Sequence, residues 1–502
     1  MSNTYQNFIA GQWRAPASGE HFENRNPANT DELIGLFPET GPPSGAGGAD
    51  IEAAVASAER GFEKWSRMPA PERGFVLKKA GDVMTERKDA IARDMTREMG
   101  KVLEETRGDV QEAIDTAYYA AVEGRRLFGK TVPSELRDKW AMSFRRPIGP
   151  FAIITPFNFP LAVPSWKIFP ALLCGNSIIW KPSEDVPLTA NTFTEILLES
   201  GLPPEAIQLV HGAGETVGKA LVDHPEVPGI SFTGSTRTGS AIGETAGRMH
   251  KRLSLEMGGK NAQIVMADAD MDLALDGVIW GAFGTAGQRC TATSRLLLED
   301  RIHDEFVARL QARAEALRLG DGLDSGTEVG PMIHPAAVEK CERYVEIARS
   351  QGATVACGGA RATGPGLEKG HFFRPTVLTG VDRNHRTACE EIFGPVLSVI
   401  KFESLDEAID INNQVEYGLS SALYTSDVRS AFRAINELDN GITYVNAPTI
   451  GAEAHLPFGG VKGTGNGHRE GGWEVYEFYT ETKVAYVDYS GKLQRAQIDV
   501  DW

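Results

Sequence analysis

Hydrophobic positions along the chain change their period several times, and each change marks an element. Residues 1–48 carry short apolar runs broken by turn residues, which predicts short strands and loops ending in the Gly/Pro/Ser-rich segment Thr40–Ala49. From Asp50 the spacing becomes helical, with Ile51, Ala54, Val55, Ala58, Phe62 and Trp65 on one face. Pro71 stands where a first-turn proline is tolerated, and a second helical region runs from there towards Glu98. A third spans Glu104 to Leu127, with acidic residues scattered over it, and Trp140 to Arg146 reads as a strand. Short apolar runs then alternate with helical stretches. Phe151–Thr155, Ser177–Trp180, Ile207–Val210 and Gly229–Phe232 read as strands, with helices at Phe169–Cys174, Thr189–Ser200, Glu215–Asp223 and Gly239–Arg248.

Strand and helix alternating at this spacing predict a mostly parallel sheet covered by helices. A second series begins near Ala262–Met266, with helices at Leu273–Phe283 and Asp304–Leu317. It continues through strand Val396–Phe402, helix Leu405–Asn412, strand Ser421–Thr425 and helix Ser430–Glu437. The expected fold class is therefore α/β in two units. A β-rich tail at Lys483–Tyr489 could pair with the Trp140 strand.

The length of 502 residues exceeds one ordinary core and suits two or three domains. A net charge of −17 argues against nucleic acid or an anionic membrane as partner, because either needs a basic surface. No apolar run reaches the length of a membrane span, since Pro and polar residues interrupt Phe151–Val163. Met1–Phe8 shows no basic region followed by an apolar core, so no signal peptide is expected. Five cysteines (174, 290, 341, 357, 389) form neither C-x-x-C pairs nor a framework spacing. That pattern predicts free thiols, a cytoplasmic location and no metal centre.

One of these cysteines sits in a chemically suggestive run. Phe283-Gly-Thr-Ala-Gly-Gln-Arg-Cys290-Thr sets a thiol among small and Gly residues, where backbone can lie close to a ligand. Arg289 beside it is a cation able to raise the thiolate fraction. A buried structural cysteine is the competing reading. Ile230-Ser-Phe-Thr-Gly234-Ser235-Thr-Arg-Thr-Gly239 reads as strand, Gly turn and helix start, a place for an anion such as pyrophosphate. It is not G-x-G-x-x-G; Gly212-Ala-Gly214-Glu-Thr-Val-Gly218 comes closer without the spacing. Lys181 and Glu184 in Trp180-Lys-Pro-Ser183-Glu184 follow a strand and could meet ribose hydroxyls, or form a solvated turn. Glu256 in Leu253-Ser-Leu-Glu-Met-Gly-Gly alternates away from its apolar neighbours, and partial burial would raise it towards a general base's range. Asn158 in Phe157-Asn-Phe-Pro160 is a carboxamide suited to holding an oxyanion, and Glu391 with Phe393 offers a ribose ligand and a packing face.

Together these motifs resemble the aldehyde dehydrogenase superfamily over essentially the whole chain: FNFP, WKPSE, FTGSTRTG, LEMGGK, GQRC and EEIFGP, in family order. The resemblance implies a modified Rossmann NAD-binding domain at 1–128 and 148–257 and an α/β catalytic domain at 258–457. A β oligomerisation bridge at 129–147 and 478–502 would make a homodimer or homotetramer. It implies Cys290 as nucleophile, Glu256 as base, and Asn158 with the Cys290 N–H as oxyanion hole. Lys181, Ser183, Glu184, Gly214, Gly218, Phe232, Gly234, Ser235, Gly239, Glu391 and Phe393 would hold NAD, with NADP possible. Retention of Glu256 argues against coenzyme A as acyl acceptor, and the intact residue set against a non-catalytic binding protein.

Within the superfamily the chain looks similar to the antiquitin-like, α-aminoadipic semialdehyde branch. The carriers are FGTAGQRCT, Pro448-Thr-Ile-Gly-Ala-Glu453, Phe458-Gly-Gly-Val-Lys462 and the tail Tyr489-Ser490 before Ala496-Gln497. That branch implies Glu112 for a substrate ammonium, Arg289 for its carboxylate, and Phe157 at the substrate. A plain alternative puts Glu112 on a solvated acidic face with Glu104, Glu105 and Asp109. The sequence departs from the branch at His455-Leu-Pro457 and at His468, where the substrate's far end is expected. α-Aminoadipic semialdehyde is the first candidate substrate and α-ketoglutaric semialdehyde the second, ahead of a broad aliphatic range.

Overall fold

The computed structural model describes residues 3–42 and 44–499; residues 1, 2, 43 and 500–502, including the last three of the expected bridge, lie outside the described residues. Two seven-stranded sheets dominate. The first runs in the order 252–256, 229–233, 150–154, 177–181, 207–209, 7–9, 12–14. Its first five strands are parallel, and an N-terminal hairpin is added antiparallel at the edge. Strands 150–154 and 177–181 are buried at every position, as expected where helices cover both faces of a parallel sheet.

The second sheet runs in the order 354–357, 376–379, 396–402, 293–299, 261–265, 420–424, 442–445. Only its first pair is antiparallel. A third, three-stranded sheet joins 480–488, 139–147 and 131–133. Val487 lies opposite Trp140 in this ladder, so the tail pairs with the Trp140 strand as its pattern predicts. Trp140, Tyr486 and Val487 remain exposed on it.

Several elements differ from the reading of the pattern. The helical region towards Glu98 is two helices, Ala70–Glu86 and Lys88–Met99, separated at Arg87 (φ −105°, ψ 9°). The helix containing Trp65 starts at Gly47, inside the stretch expected to be loop. The helix expected from Phe169 begins at Ala162, and its Pro164 and Pro170 disguise the start. Strand Thr293–Glu299, at the centre of the second sheet, and helix Pro335–Ser350 were not anticipated.

The ends of the parallel strands set up the site. Lys181 stands opposite Ile154, and Glu256 opposite Thr233, all at the carboxyl edge of the first sheet, where such sheets bind ligands.

Candidate active site

Cys290 follows a turn of unusual backbone. Thr285 (φ 54°), Ala286 (φ 53°) and Gly287 (φ 68°) are consecutive left-handed residues, the first two at some conformational cost. A Cβ on Gly287 would meet the Gly394 carbonyl at 2.3 Å, so only glycine fits. Gln288 ties the turn down. Its Nε2 donates to the Thr285 carbonyl, and its Oε1 accepts from Ile333 N at 3.0 Å. The Cys290 carbonyl accepts from Asn261 Nδ2 at 2.8 Å.

The thiol opens on a cavity of about 130 Å³, which Glu256 also lines. Burial, and next the charges of Glu391 and Glu256, push the thiol up to about 12. Arg289 does not oppose this, contrary to the expectation from its adjacency. Its guanidinium turns away, donating from Nη2 to Glu105 and from Nε to Thr285 Oγ1. The cysteine is thus held as a thiol and needs a base.

Glu256 is that neighbour. Its carboxyl is raised well above the usual range by burial, then by the Glu470 charge, against the opposing charges of Lys167 and Arg469. Oε1 has no hydrogen-bond partner. Lys167 pairs with Glu470 and donates to Ser231 Oγ at 3.0 Å, so a buried charged pair lies beside the carboxyl. Neither Lys167 nor Glu470 was singled out in the sequence. A lone Lys in the otherwise apolar helix 162–174 was a signal for the first; nothing local marks the second.

The outer wall carries two further charged groups, Glu112 and Arg289. Among the described residues no side chain hydrogen-bonds the Glu112 carboxyl, which burial and then Asp109 raise to about 8. Glu112 and Ala452 also line an open vestibule of about 420 Å³, which Glu453 and His455 border too. The acidic helix 103–123 is not one solvated face. Glu104 is exposed, but Glu105 pairs with Arg289 and Asp109 with Lys101, both buried.

Towards the carboxyl edge of the first sheet lie groups suited to a dinucleotide. Ser235 Oγ caps helix 236–248 by accepting from Thr238 N, and Thr233 Oγ1 and Thr236 Oγ1 are buried without partners. Lys181 Nζ reaches Glu184 at 2.6 Å. Burial works to raise Glu184, but Lys181 and the backbone N–H groups of Glu184 and Gly214 outweigh it and hold it below the usual carboxylate range. Glu391 accepts from Gly259 N at 3.0 Å, and a Cβ on Gly258 would fall 2.6 Å from its carboxylate.

The sequence profile described as "Aldehyde dehydrogenase family" matches residues 13–485. An α-ketoglutaric semialdehyde dehydrogenase of Bacillus subtilis is 36% identical over 485 residues, covering 97% of this chain and 98% of that protein. The chain belongs to the aldehyde dehydrogenase family. Aldehyde dehydrogenase family 7 member B4 of Arabidopsis thaliana is also 36% identical, over 99% of this chain and 96% of its own length. A crystal structure of betaine aldehyde dehydrogenase from Staphylococcus aureus in complex with NAD⁺ superposes with a TM-score of 0.94, at 37% identity, covering 97% of this chain and 95% of that one. The protein accordingly has the aldehyde dehydrogenase fold.

The contacts of the other expected site residues are these. Phe157 packs edge-on against Phe393 (5.9 Å, 84°) and does not line the cavity; Phe159 does, with Trp166 and Phe458. Phe157 and Phe159 thus meet different surroundings from one short loop. Asn158 between them is 4% exposed. Phe232 is a core residue under the Gly234 turn, where a Cβ on Gly234 would meet its ring at 2.5 Å. Gly239 is held for packing against Met257, not for open space. Ser183 donates to Asp185, and Gly214 and Gly218 bound a short π-helical turn. His455 reaches the vestibule, whereas His468 packs against Phe478 and away from the cavity. Among the described residues no cluster suits a metal ion, and no helix is long and apolar enough to cross a membrane.

Proposed function

We propose that the protein oxidises a carboxylate-bearing semialdehyde to the acid through a thioester on Cys290, with NAD as its cofactor. The observation that carries this is one cavity that Cys290 and Glu256 share with Arg289 and Glu112. Glu256, unpartnered and acting in its carboxylate form, takes the thiol proton as sulfur adds to the aldehyde carbon. The oxyanion is received by the Asn158 carboxamide and the Cys290 N–H. Bound NAD⁺ supplies the hydride acceptor, so the net change is RCHO + NAD⁺ + H₂O → RCOO⁻ + NADH + 2 H⁺. After releasing the thiol proton, one of the two H⁺ of the net equation, Glu256 draws the second from the water that hydrolyses the thioester, and burial together with the Lys167–Glu470 pair beside it sets how tightly that proton is held. The unpartnered threonine hydroxyls at 233 and 236, the capped helix start at Ser235, and Glu391 fit a pyrophosphate and riboses. Lys181 and Glu184 would take the adenosine ribose, and the Glu184 carboxylate favours NAD⁺ by repelling a 2′-phosphate.

Arg289 keeps Nη1 free of described hydrogen-bond partners, and the rest of its guanidinium is fixed by Glu105 and Thr285. It is therefore a pre-oriented anchor for a substrate carboxylate. Glu112, raised to about 8, is protonated at neutral pH and can donate to a ketone oxygen. This favours α-ketoglutaric semialdehyde over α-aminoadipic semialdehyde, reversing the order expected from sequence. Relatives in Bacillus subtilis and Haloferax volcanii named for α-ketoglutaric semialdehyde or its anion support it. The amino-acid substrate remains the second reading because an ionised Glu112 would suit its ammonium. The exposed apolar side chains of the three-stranded sheet support its use between copies of the chain, as a dimer or tetramer. NADH formation should be measured for both semialdehydes and propanal, with NAD⁺ and NADP⁺. The highest kcat/KM is expected with α-ketoglutaric semialdehyde and NAD⁺. Equal efficiency on all three aldehydes would remove Arg289 and Glu112 from recognition.

A further inference from the structure

The geometry points to Glu105 as the positioning residue for the nucleophile. Glu105 lies near the start of helix 103–123, outside the cavity, and its side chain is 2% exposed. One oxygen, Oε1, accepts two hydrogen bonds at 2.8 Å, from Thr285 N and from Arg289 Nη2. Those donors bracket the left-handed residues 285–287, and Arg289 Nε closes the ring by donating to Thr285 Oγ1 at 2.9 Å. Two non-glycine residues in succession at positive φ do not persist unless something holds them. Here a carboxylate from a distant helix holds both ends of the turn. Cys290 is the residue after Arg289, so the direction of its thiol and of its N–H follows from how this turn is set.

The surroundings leave Glu105 little alternative. A Cβ on Gly284 would fall 3.0 Å from Glu105 Oε1 and 3.3 Å from Arg289 Nη2, so the absence of a side chain there lets the carboxylate approach. The Arg289 guanidinium lies over Trp280 at 4.7 Å and over Phe159 at 5.8 Å. Lys101, paired with Asp109 one turn along the same helix, lies on Phe159 at 3.6 Å. Phe159 neighbours Asn158 in the chain. Helix 103–123 thus reaches the loops of both the thiol and the carboxamide, and Glu105 is its contact with the first. Glu105 touches no reacting atom and acts through the turn.

The test uses propanal, which has no carboxylate, so any role of Arg289 in holding substrate drops out. Glu105→Ala and Glu105→Gln are compared with wild type by the single-turnover rate of NADH formation and by the rate at which iodoacetamide labels Cys290, read by mass spectrometry of its peptide. Melting temperatures are recorded alongside, and both rates are taken well below them. Glu105→Ala should slow both by about 30-fold, the scale of a small misplacement of a reacting group. Glu105→Gln keeps an oxygen for Thr285 N and should lose only about 3-fold. If the Ala variant does not fold, that smaller loss in the Gln variant decides. Unchanged rates in the folded variants, or equal losses in Ala and Gln, would overturn the inference whatever the melting temperature does. Wild type that forms no NADH from any aldehyde would instead count against the proposed function, and Cys290 labelling would still report on the turn.

Discussion

Glu256 and Glu112 face the same cavity from its inner and outer ends, and burial raises the carboxyl of both. What surrounds them differs. Beyond burial, Glu256 feels a second carboxylate, Glu470, and two cations, Lys167 and Arg469, with Lys167 and Glu470 joined in a buried ion pair beside it. Glu112 feels Asp109 and Asp115 against Lys101 and Arg289, and it looks onto an open vestibule. The inner end is arranged to take up and pass on a proton, and the outer end to recognise a polar group. The same residue type serves both because its environment sets its protonation.

Cys290→Ala separates the ends most sharply. NADH formation should fall by about 10⁴-fold or more, because the bond-forming atom is gone. Calorimetric affinity for the carboxylic acid product should persist, since Arg289 and Glu112 are untouched. Loss of both would mean the ends are not separable. Glu470→Gln works on the inner end alone. Removing a negative charge lets the Glu256 carboxyl fall, so the acid limb of the kcat profile should move to lower pH and the plateau drop by roughly 10-fold as the base weakens. A limb that moved to higher pH would contradict the charge assignment.

At the outer end the sign of a pH effect distinguishes the two substrates. Glu112 is raised to about 8, so between pH 7 and 9 it passes from hydrogen-bond donor to anion. KM for α-ketoglutaric semialdehyde should rise about 5-fold over that interval as the donor is lost, and KM for α-aminoadipic semialdehyde should fall. Both trends should vanish in Glu112→Gln. The smallest effect lies outside the cavity. Glu184→Ala should narrow the preference for NAD⁺ over NADP⁺ by about 3-fold while leaving aldehyde selectivity alone, because neither Lys181 nor Glu184 lines the cavity.

Much of this was legible before the structure. The parallel core of the first sheet, and strands 261–265, 396–402 and 420–424 of the second without its central strand 293–299, follow from apolar runs alternating with helical spacing, and Cys290, Glu256 and Glu391 stood out because Gly-rich or strand-end context made each conspicuous. What was hidden depends on long-range contact. Glu470 lies 303 positions from its partner Lys167, and Glu105 lies 180 from Thr285. Arg289 looked like an activator of the thiol next to it, but side-chain direction, which adjacency does not give, sends its charge to Glu105. Phe157 and Phe159 are chemically alike in the sequence, and only the path of the loop tells which ring meets the cavity. Helix 335–350 does carry its signal in the sequence, with Val338, Cys341, Val345 and Ala348 buried at helical spacing.

The central claim is that Cys290 and Glu256 carry out one oxidation in two stages, with Glu256 needed most for the water step. Rapid mixing of Glu256→Gln with aldehyde and saturating NAD⁺ tests it directly. The account predicts a burst of NADH close to one equivalent per Cys290, slower than in wild type because the thiol has lost its base, followed by a steady rate about 10³-fold below wild type as the thioester waits for water. Absence of a burst, with the first turnover slowed as much as the steady rate, would contradict it and make Glu256 indispensable already at the attack of the thiol.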